Sequence, residues 1–308
     1  NVFFKVANGT IMNVNFDSIT IHNTDTAAGK QVGIIGDLQG GYLHNIKMTN
    51  ISAKGREGVA ALVGQVTGGE NYITQCSLVN PIPEKFEDNK YVISAVNKYA
   101  GGIVGNGQKN NDQSTFKLTV MDCYVKAIIG DGNDAGGNTG GIVGRVKNES
   151  SVYYTHIERC YYEGTIIAKG NYNAGIIGDF DNGQGHVVIK HNFSDATFYF
   201  AGSYLDAKEA QKAGATQLYA HKNTNPICGR AVYTVGGIYE TEVNYGTWKE
   251  YYTQYINSTS IVFDLAILNE DTYEYEWEIT KTFIETSLQF DLENIWEFNE
   301  ATKEINLR

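Results

Sequence analysis

Three segments of this chain, VMDCYVKAII from Val120, IERCYYEGTI from Ile157 and IKHNFSDATF from Ile189, align without a gap and hold its best candidates for chemistry. At one position of the alignment stand Tyr124, Tyr161 and Phe193; two residues earlier come Asp122, Arg159 and His191, and two residues later Lys126, Glu163 and Asp195. Residues two apart in an extended strand share a face. Stacked, these segments would gather three aromatic rings with carboxylates, an Arg and a His around them. Rings of this kind lie against the apolar faces of sugars while flanking charged groups bond the hydroxyls. The expected ligand is therefore an oligosaccharide or a glycan-bearing extracellular protein over Tyr124, Tyr161 and Phe193, with Asp122, Arg159, Glu163 and Asp195 at the rim. The strand repeat of about 4.8 Å is close to the length of one sugar unit, so a flat saccharide would fit along the column. Glu163 and Asp195 also form a carboxyl pair, and glycoside hydrolysis needs two carboxyls about 5 to 9.5 Å apart. Any two acidic residues stacked on adjacent strands meet that distance, so no residue is assigned as catalytic. Against the binding reading stands a plain structural one: aromatic residues are good strand formers, and neighbouring rings stabilise a sheet by about 0.2 to 1 kcal/mol per pair.

What must position these residues is a repeat. The same motif occurs earlier as IMNVNFDSITI from Ile11, LHNIKMTNI from Leu43 and ITQCSLVNPI from Ile73. Each copy follows a short small-residue and aliphatic stretch: VGIIG ending at Gly36, AALVG at Gly64, GGIVG at Gly105 and Gly144, AGIIG at Gly178, with a degenerate NPICG at Gly229. Equivalent positions (Val14, Ile46, Cys76, Cys123, Cys160, Asn192) recur every 30 to 47 residues or so, a period found in solenoids and propellers. Short alternating strands between Gly, Asn and Asp turns, with no helical pattern inside most units, favour the solenoid. The expected fold is all-β: a single-stranded parallel β-helix, one coil per unit, with those six positions in one inward column.

The repeats are expected over residues 1–237, with insertions near 81–99 and 203–223, the second containing a short helix capped by Asp206 and ended by Gly214. Residues 238–308 read as a small mixed α/β C-terminal cap. Capping boxes stand at Thr247 with Glu250 and at Thr282 with Glu285, strands over 260–268 and 273–280, and Trp296 and Phe298 are expected against the last coil, where an open solenoid end must be covered.

Composition narrows the function classes. The 308 residues carry a net charge of −11 and only 3 prolines against 34 glycines, which suits tight turns and argues against nucleic acid, whose binding needs a basic footprint. No apolar run is long enough to span a membrane. The start at NVFFKVANGT looks like a mature or excised internal segment, with flanking domains expected in a longer chain. Cys76, Cys123 and Cys160 fall in the inward column and Cys228 replaces an aliphatic residue, so all four read as free, buried hydrophobes; no metal is expected, since zinc needs clustered ligands. The loop Gly130–Gly141 holds Asp131, Asn133 and Asp134 but lacks the later ligands of a calcium hand. No cofactor fingerprint is present. Of the glycosylation sequons, the one at Asn192 points inward and fits a buried polar ladder instead.

The recurring G-[IL]-[VI]-G followed by a Cys-centred strand resembles the GLUG-type repeats of bacterial surface and secreted proteins, and the run FIETSLQFDLENIWEF…INLR looks like the segment that closes such arrays. That resemblance implies a β-helix of an adhesin-like protein, or one standing beside the catalytic domain of an immunoglobulin-cleaving zinc metallopeptidase. The chain has no HExxH motif, so such a peptidase domain would lie outside it. The reading is a non-catalytic, extracellular or surface-displayed binding or spacer module of a larger protein; the alternative is a carbohydrate-active β-helix enzyme, a polysaccharide lyase or glycoside hydrolase.

Overall fold

The computed structural model describes residues 4–23, 31–84, 88–108, 115–131, 138–147, 150, 152–167, 172–183, 185–200, 203–205, 224–225, 228–233, 238–240, 244–246, 253–256, 259–262 and 279–308. The polypeptide winds as a parallel β-helix. A complete coil has four strands, as in Tyr99–Gly101, Val104–Gln108, Phe116–Met121 and Tyr124–Ile129, and the next coil repeats them as Asn138–Gly140, Val143–Lys147, Tyr154–Glu158 and Tyr161–Ile167. Each strand pairs with its equivalent on the neighbouring coil: Asn138 with Tyr99, Val143 with Val104, Val120 with Ile157, Tyr124 with Tyr161. The first strands form a separate 5-stranded parallel sheet, and the others join one 20-stranded sheet because the long early strands, Phe4–Asp17, Ile35–Thr49 and Val63–Thr74, run unbroken around a corner. Among the described residues, the one antiparallel pairing in that large sheet is Ser203–Leu205 on Phe193–Phe200, at the start of the second expected insertion.

Five of the six positions expected in the inward column are buried there, and the first, Val14, is half-buried on the terminal coil. Val14 pairs with Ile46, and the strands that follow align Lys47 with Ser77, Ser77 with Tyr124, Tyr124 with Tyr161 and Tyr161 with Phe193. Ile46, Cys76, Cys123, Cys160 and Asn192 are all fully buried. Cys76, Cys123 and Cys160 are free thiols, and burial first, then the neighbouring thiols, pushes the Cys123 thiol well above its ordinary pKa. Cys123 Sγ lies 3.7 Å from the Ile73 oxygen and Cys160 Sγ 3.6 Å from the Val120 oxygen. Asn192 Nδ2 donates to the equivalent Ile157 oxygen at 3.0 Å, and Asn244 Nδ2 repeats the bond one coil on, to the Ile189 oxygen at 2.7 Å. The polar ladder therefore runs past residue 237, where the sequence reading ended the repeats, through Ile238–Glu240 and Tyr245–Gly246.

The Gly motif follows from close backbone approach. A Cβ on Gly144 would stand 2.5 Å from the Gly105 oxygen and 2.7 Å from the Ala100 oxygen, rigid atoms that cannot retreat. The corner of each coil follows from another device. Asn13, Asn45, Gln75, Asp122, Arg159 and His191, each one residue before the inward column, have φ between 50 and 56°. This left-handed conformation costs roughly 1 to 2 kcal/mol for a residue with a side chain, and side-chain ladders offset it: Asn45 Nδ2 donates to Asn13 Oδ1 at 2.8 Å, and Arg159 grips Asp122.

The first insertion, expected as a loop with a short strand, holds the strand Val92–Ala95, which completes its coil by pairing with Ser52–Gly55 and with Ile128 and Ile129. The expected helix near Asp206, the capping box at Thr247 and the strand over 273–280 lie wholly or mostly outside the described residues; within 260–268, Thr259–Val262 forms a hairpin with Thr253–Ile256. At Thr282 the capping box does not form. Thr282 is already helical, with no side-chain cap bond, and Thr280 Oγ1 accepts from the Phe283 amide at 3.1 Å instead, starting the single π-turn Phe283–Ser287.

Candidate functional site

The two faces that flank the corner carry the outward residues. On one, Tyr124, Tyr161 and Phe193 stack as expected, their ring centroids 5.2 and 5.1 Å apart, and they point away from the inner core. They are nevertheless buried, at 2%, 5% and 0% exposure. The C-terminal residues 279–308 cover them: Ile284, Leu288, Phe290, Trp296 and Ile305 pack with the three rings in a second hydrophobic cluster. Phe283 meets Phe193 edge to face at 6.4 Å, and His191 Nδ1 bonds the Ser287 oxygen at 3.0 Å. The surface expected to receive a saccharide is thus occupied by the protein itself. Trp296, expected against the last coil, stacks on Phe290 and belongs to the cluster that holds the three rings. The sequence could not show this because a column exposed by alternation and a column exposed in space differ once a distant segment docks on it.

The rim residues are correspondingly paired. Arg159 donates to Asp122 through Nε at 2.8 Å and Nη2 at 3.0 Å, and also meets Glu158 at 3.1 Å. Burial pulls the Arg159 guanidinium down, but Asp122 and Glu158 outweigh it and raise its pKa overall. Glu163 accepts from Lys126 Nζ at 2.5 Å and from the Tyr124 hydroxyl at 2.8 Å; burial and this carboxylate raise the Tyr124 phenol. Asp195 pairs in register with Glu163 and is exposed. Asp122 and Arg159 stand at the corner, with left-handed backbone, ahead of the strands that begin at Tyr124 and Tyr161, so the two-residue alternation that grouped them with the rings does not run through them.

The open counterpart lies on the other side of the corner, over the strands Val63–Thr74, Phe116–Met121 and Tyr154–Glu158. A shallow trough of about 530 Å³ is lined there by Tyr72, Thr74, Lys117, Thr119, Met121, Tyr154 and His156. Lys117 Nζ sits 5.1 Å from the Tyr72 ring centroid and 5.7 Å from that of Tyr154, a cation–π position between two coils. The Tyr72 hydroxyl donates to Glu70 Oε2 at 2.8 Å, and Glu70 pairs with Lys117 at 3.6 Å. Tyr72 and then Glu70 hold the Lys117 ammonium above its usual pKa, against partial burial. On the far side, the Tyr154 hydroxyl lies 3.0 Å from His156 Nδ1, and His156 Nε2 lies 2.5 Å from Glu158 Oε2. Burial pushes the Glu158 carboxyl up, but the bond from His156 and the Arg159 charge outweigh it, leaving it below the ordinary Glu range. One strand thus presents hydroxyl, imidazole and carboxylate at alternate positions. Farther along, Tyr42 stacks on His44 at 5.5 Å and is 37% exposed.

None of these trough residues was singled out from the sequence. The signal was the same alternation, extended back across the corner into YITQC, FKLTVMDC and YTHIERC. Among the described residues no group of three or more His, Cys, Asp or Glu could hold a metal ion, and no described helix is long and apolar enough to cross a membrane.

No protein-family model matches the chain, and no curated protein matches it. Among solved structures it is similar to the crystal structure of a putative immunoglobulin A1 protease from Bacteroides ovatus, with a TM-score of 0.51 and 17% sequence identity over 97% of this chain and 75% of that one. At that identity the likeness is one of fold, a parallel β architecture shared along nearly the whole length.

Proposed function

We propose that this chain is a β-helical binding module of a larger secreted or surface-displayed protein, and that it holds an oligosaccharide or a glycan-bearing protein in the trough between Tyr72 and Tyr154. The observation that supports this reading is the trough itself: partly exposed rings on coils two apart, with Lys117 between them and hydroxyls from Thr74 and Thr119 beside them. It offers the apolar faces and the few directed polar groups of a saccharide site. The GLUG-like motifs and the fold likeness to a protein named as a putative immunoglobulin A1 protease support a role as an accessory module or spacer beside other domains. Binding to a glycan array, lost in the double variant Tyr72→Ala plus Tyr154→Ala and kept in a fold-matched control at exposed Val152, is the expected result. Binding that survives the double variant overturns this site.

A second reading, a carbohydrate-active enzyme, is favoured by the run Tyr154, His156 and Glu158. A carboxylate that orients an imidazole, which in turn accepts from a hydroxyl, is the arrangement by which proteins make an oxygen basic. Polysaccharide turnover that disappears in His156→Ala, with binding retained, would promote this reading over the first.

A further inference from the structure

We propose that the ligand of the trough is an acidic saccharide, one whose sugar ring bears a carboxylate, and that Lys117 is the residue that selects it. This rests on the trough being the binding site and adds to that reading the charge of the ligand.

The argument starts from the imbalance between the trough and the rest of the molecule. The chain carries a net charge of −11, yet the seven trough residues include a lysine and a histidine and no carboxylate. The two nearest acids are already engaged. Glu158 is held by His156 at 2.5 Å and by Arg159 at 3.1 Å, and its side chain is only 9% exposed. Glu70 accepts from Tyr72 and meets Lys117 at the long distance of 3.6 Å, with its side chain 63% exposed. A pair that long and that exposed is worth little, so a ligand carboxylate can replace Glu70 as the partner of Lys117 without stranding a buried charge. The ammonium itself is fixed by the two flanking rings, so less side-chain freedom is lost on binding than at an ordinary surface lysine.

Size agrees with this. Tyr72 pairs with Thr119, and Thr119 with His156, so Tyr72 and the strand of Tyr154 lie two coils apart with Lys117 on the coil between. Two strand spacings are roughly 9.6 Å, enough for two sugar units, one against each tyrosine, with a carboxylate at the middle. A neutral glycan would gain the ring and hydroxyl contacts but offer the ammonium no charge beyond that of Glu70.

The test uses matched pairs. The folded chain is titrated by calorimetry with an oligogalacturonate and with its methyl ester, and separately with a sialylated trisaccharide and its desialylated form. At least one acidic member is expected to bind tenfold or more tightly than its neutral partner, with affinity falling as salt is added. The preference should vanish in Lys117→Met, persist in Lys117→Arg and increase several-fold in Glu70→Gln, which removes the competing carboxylate. Which pair shows the preference tells a uronate from a sialate. Equal affinity within both pairs, or a preference that persists in Lys117→Met, overturns the proposal while leaving the trough as a binding site; the absence of binding by all four probes overturns both.

Discussion

Trp296 is the residue whose removal should separate the C-terminal segment from the coils. It is fully buried, stacks on Phe290 with centroids 4.4 Å apart, and belongs to the cluster over Tyr124, Tyr161 and Phe193. Truncating a buried Trp to Ala costs about 3 to 5 kcal/mol, the lost transfer energy plus the cavity. The inner core of the coils is a separate cluster that contains none of these residues, so the loss should fall on the docking of 279–308. Each 1.4 kcal/mol is a factor of ten in an opening equilibrium, so amide exchange in the hairpin Trp296–Asn299 and Glu304–Leu307 should accelerate by about two to three and a half orders of magnitude. Strands such as Phe116–Met121 should keep their protection. Trp296→Phe is the control: Nε1 has no acceptor among the described residues, so the ring alone carries the effect and exchange should change by less than about tenfold. Unchanged exchange in Trp296→Ala, or an equal loss of protection throughout the coils, would refute the view of this segment as a separately docked element.

Gly144→Ala should lower stability by about 1 to 3 kcal/mol or more in chemical denaturation, because its Cβ would press on the backbone oxygens of Gly105 and Ala100. Cys76, Cys123 and Cys160 should resist a thiol reagent until the chain unfolds, given their complete burial and the raised Cys123 thiol; native labelling at the rate of a free thiol would contradict the column. Since the Glu158 carboxyl is depressed in the folded state, its contribution to stability is present above the unfolded Glu range and fades as pH falls through the folded value. Glu158→Gln should therefore flatten the acid limb of a melting-temperature profile below about pH 5.

The sequence by itself determined the fold and the register. Self-similar motifs forced equivalent residues to stack, and alternation with apolar residues at Ile46, Cys76, Cys123 and Cys160 could place them only inward, because a slip of one residue would turn every side chain to the wrong face. Asn192 was legible for the same reason, as a polar residue at an inward position that needs a partner. What only the tertiary structure decided is which outward face stays open. Alternation assigns Tyr124, Tyr161 and Phe193 to the outside of the coil and says nothing of residues 279–308, more than eighty positions on, whose Ile284, Phe290 and Trp296 join those rings in one buried cluster. The corner was equally hidden. A left-handed residue is legible when it is Gly or Asn, but Gln75, Asp122, Arg159 and His191 adopt it here too, and that bend carries the open trough of Tyr72, Lys117 and Tyr154 onto a different face from the rings that sequence reasoning had chosen.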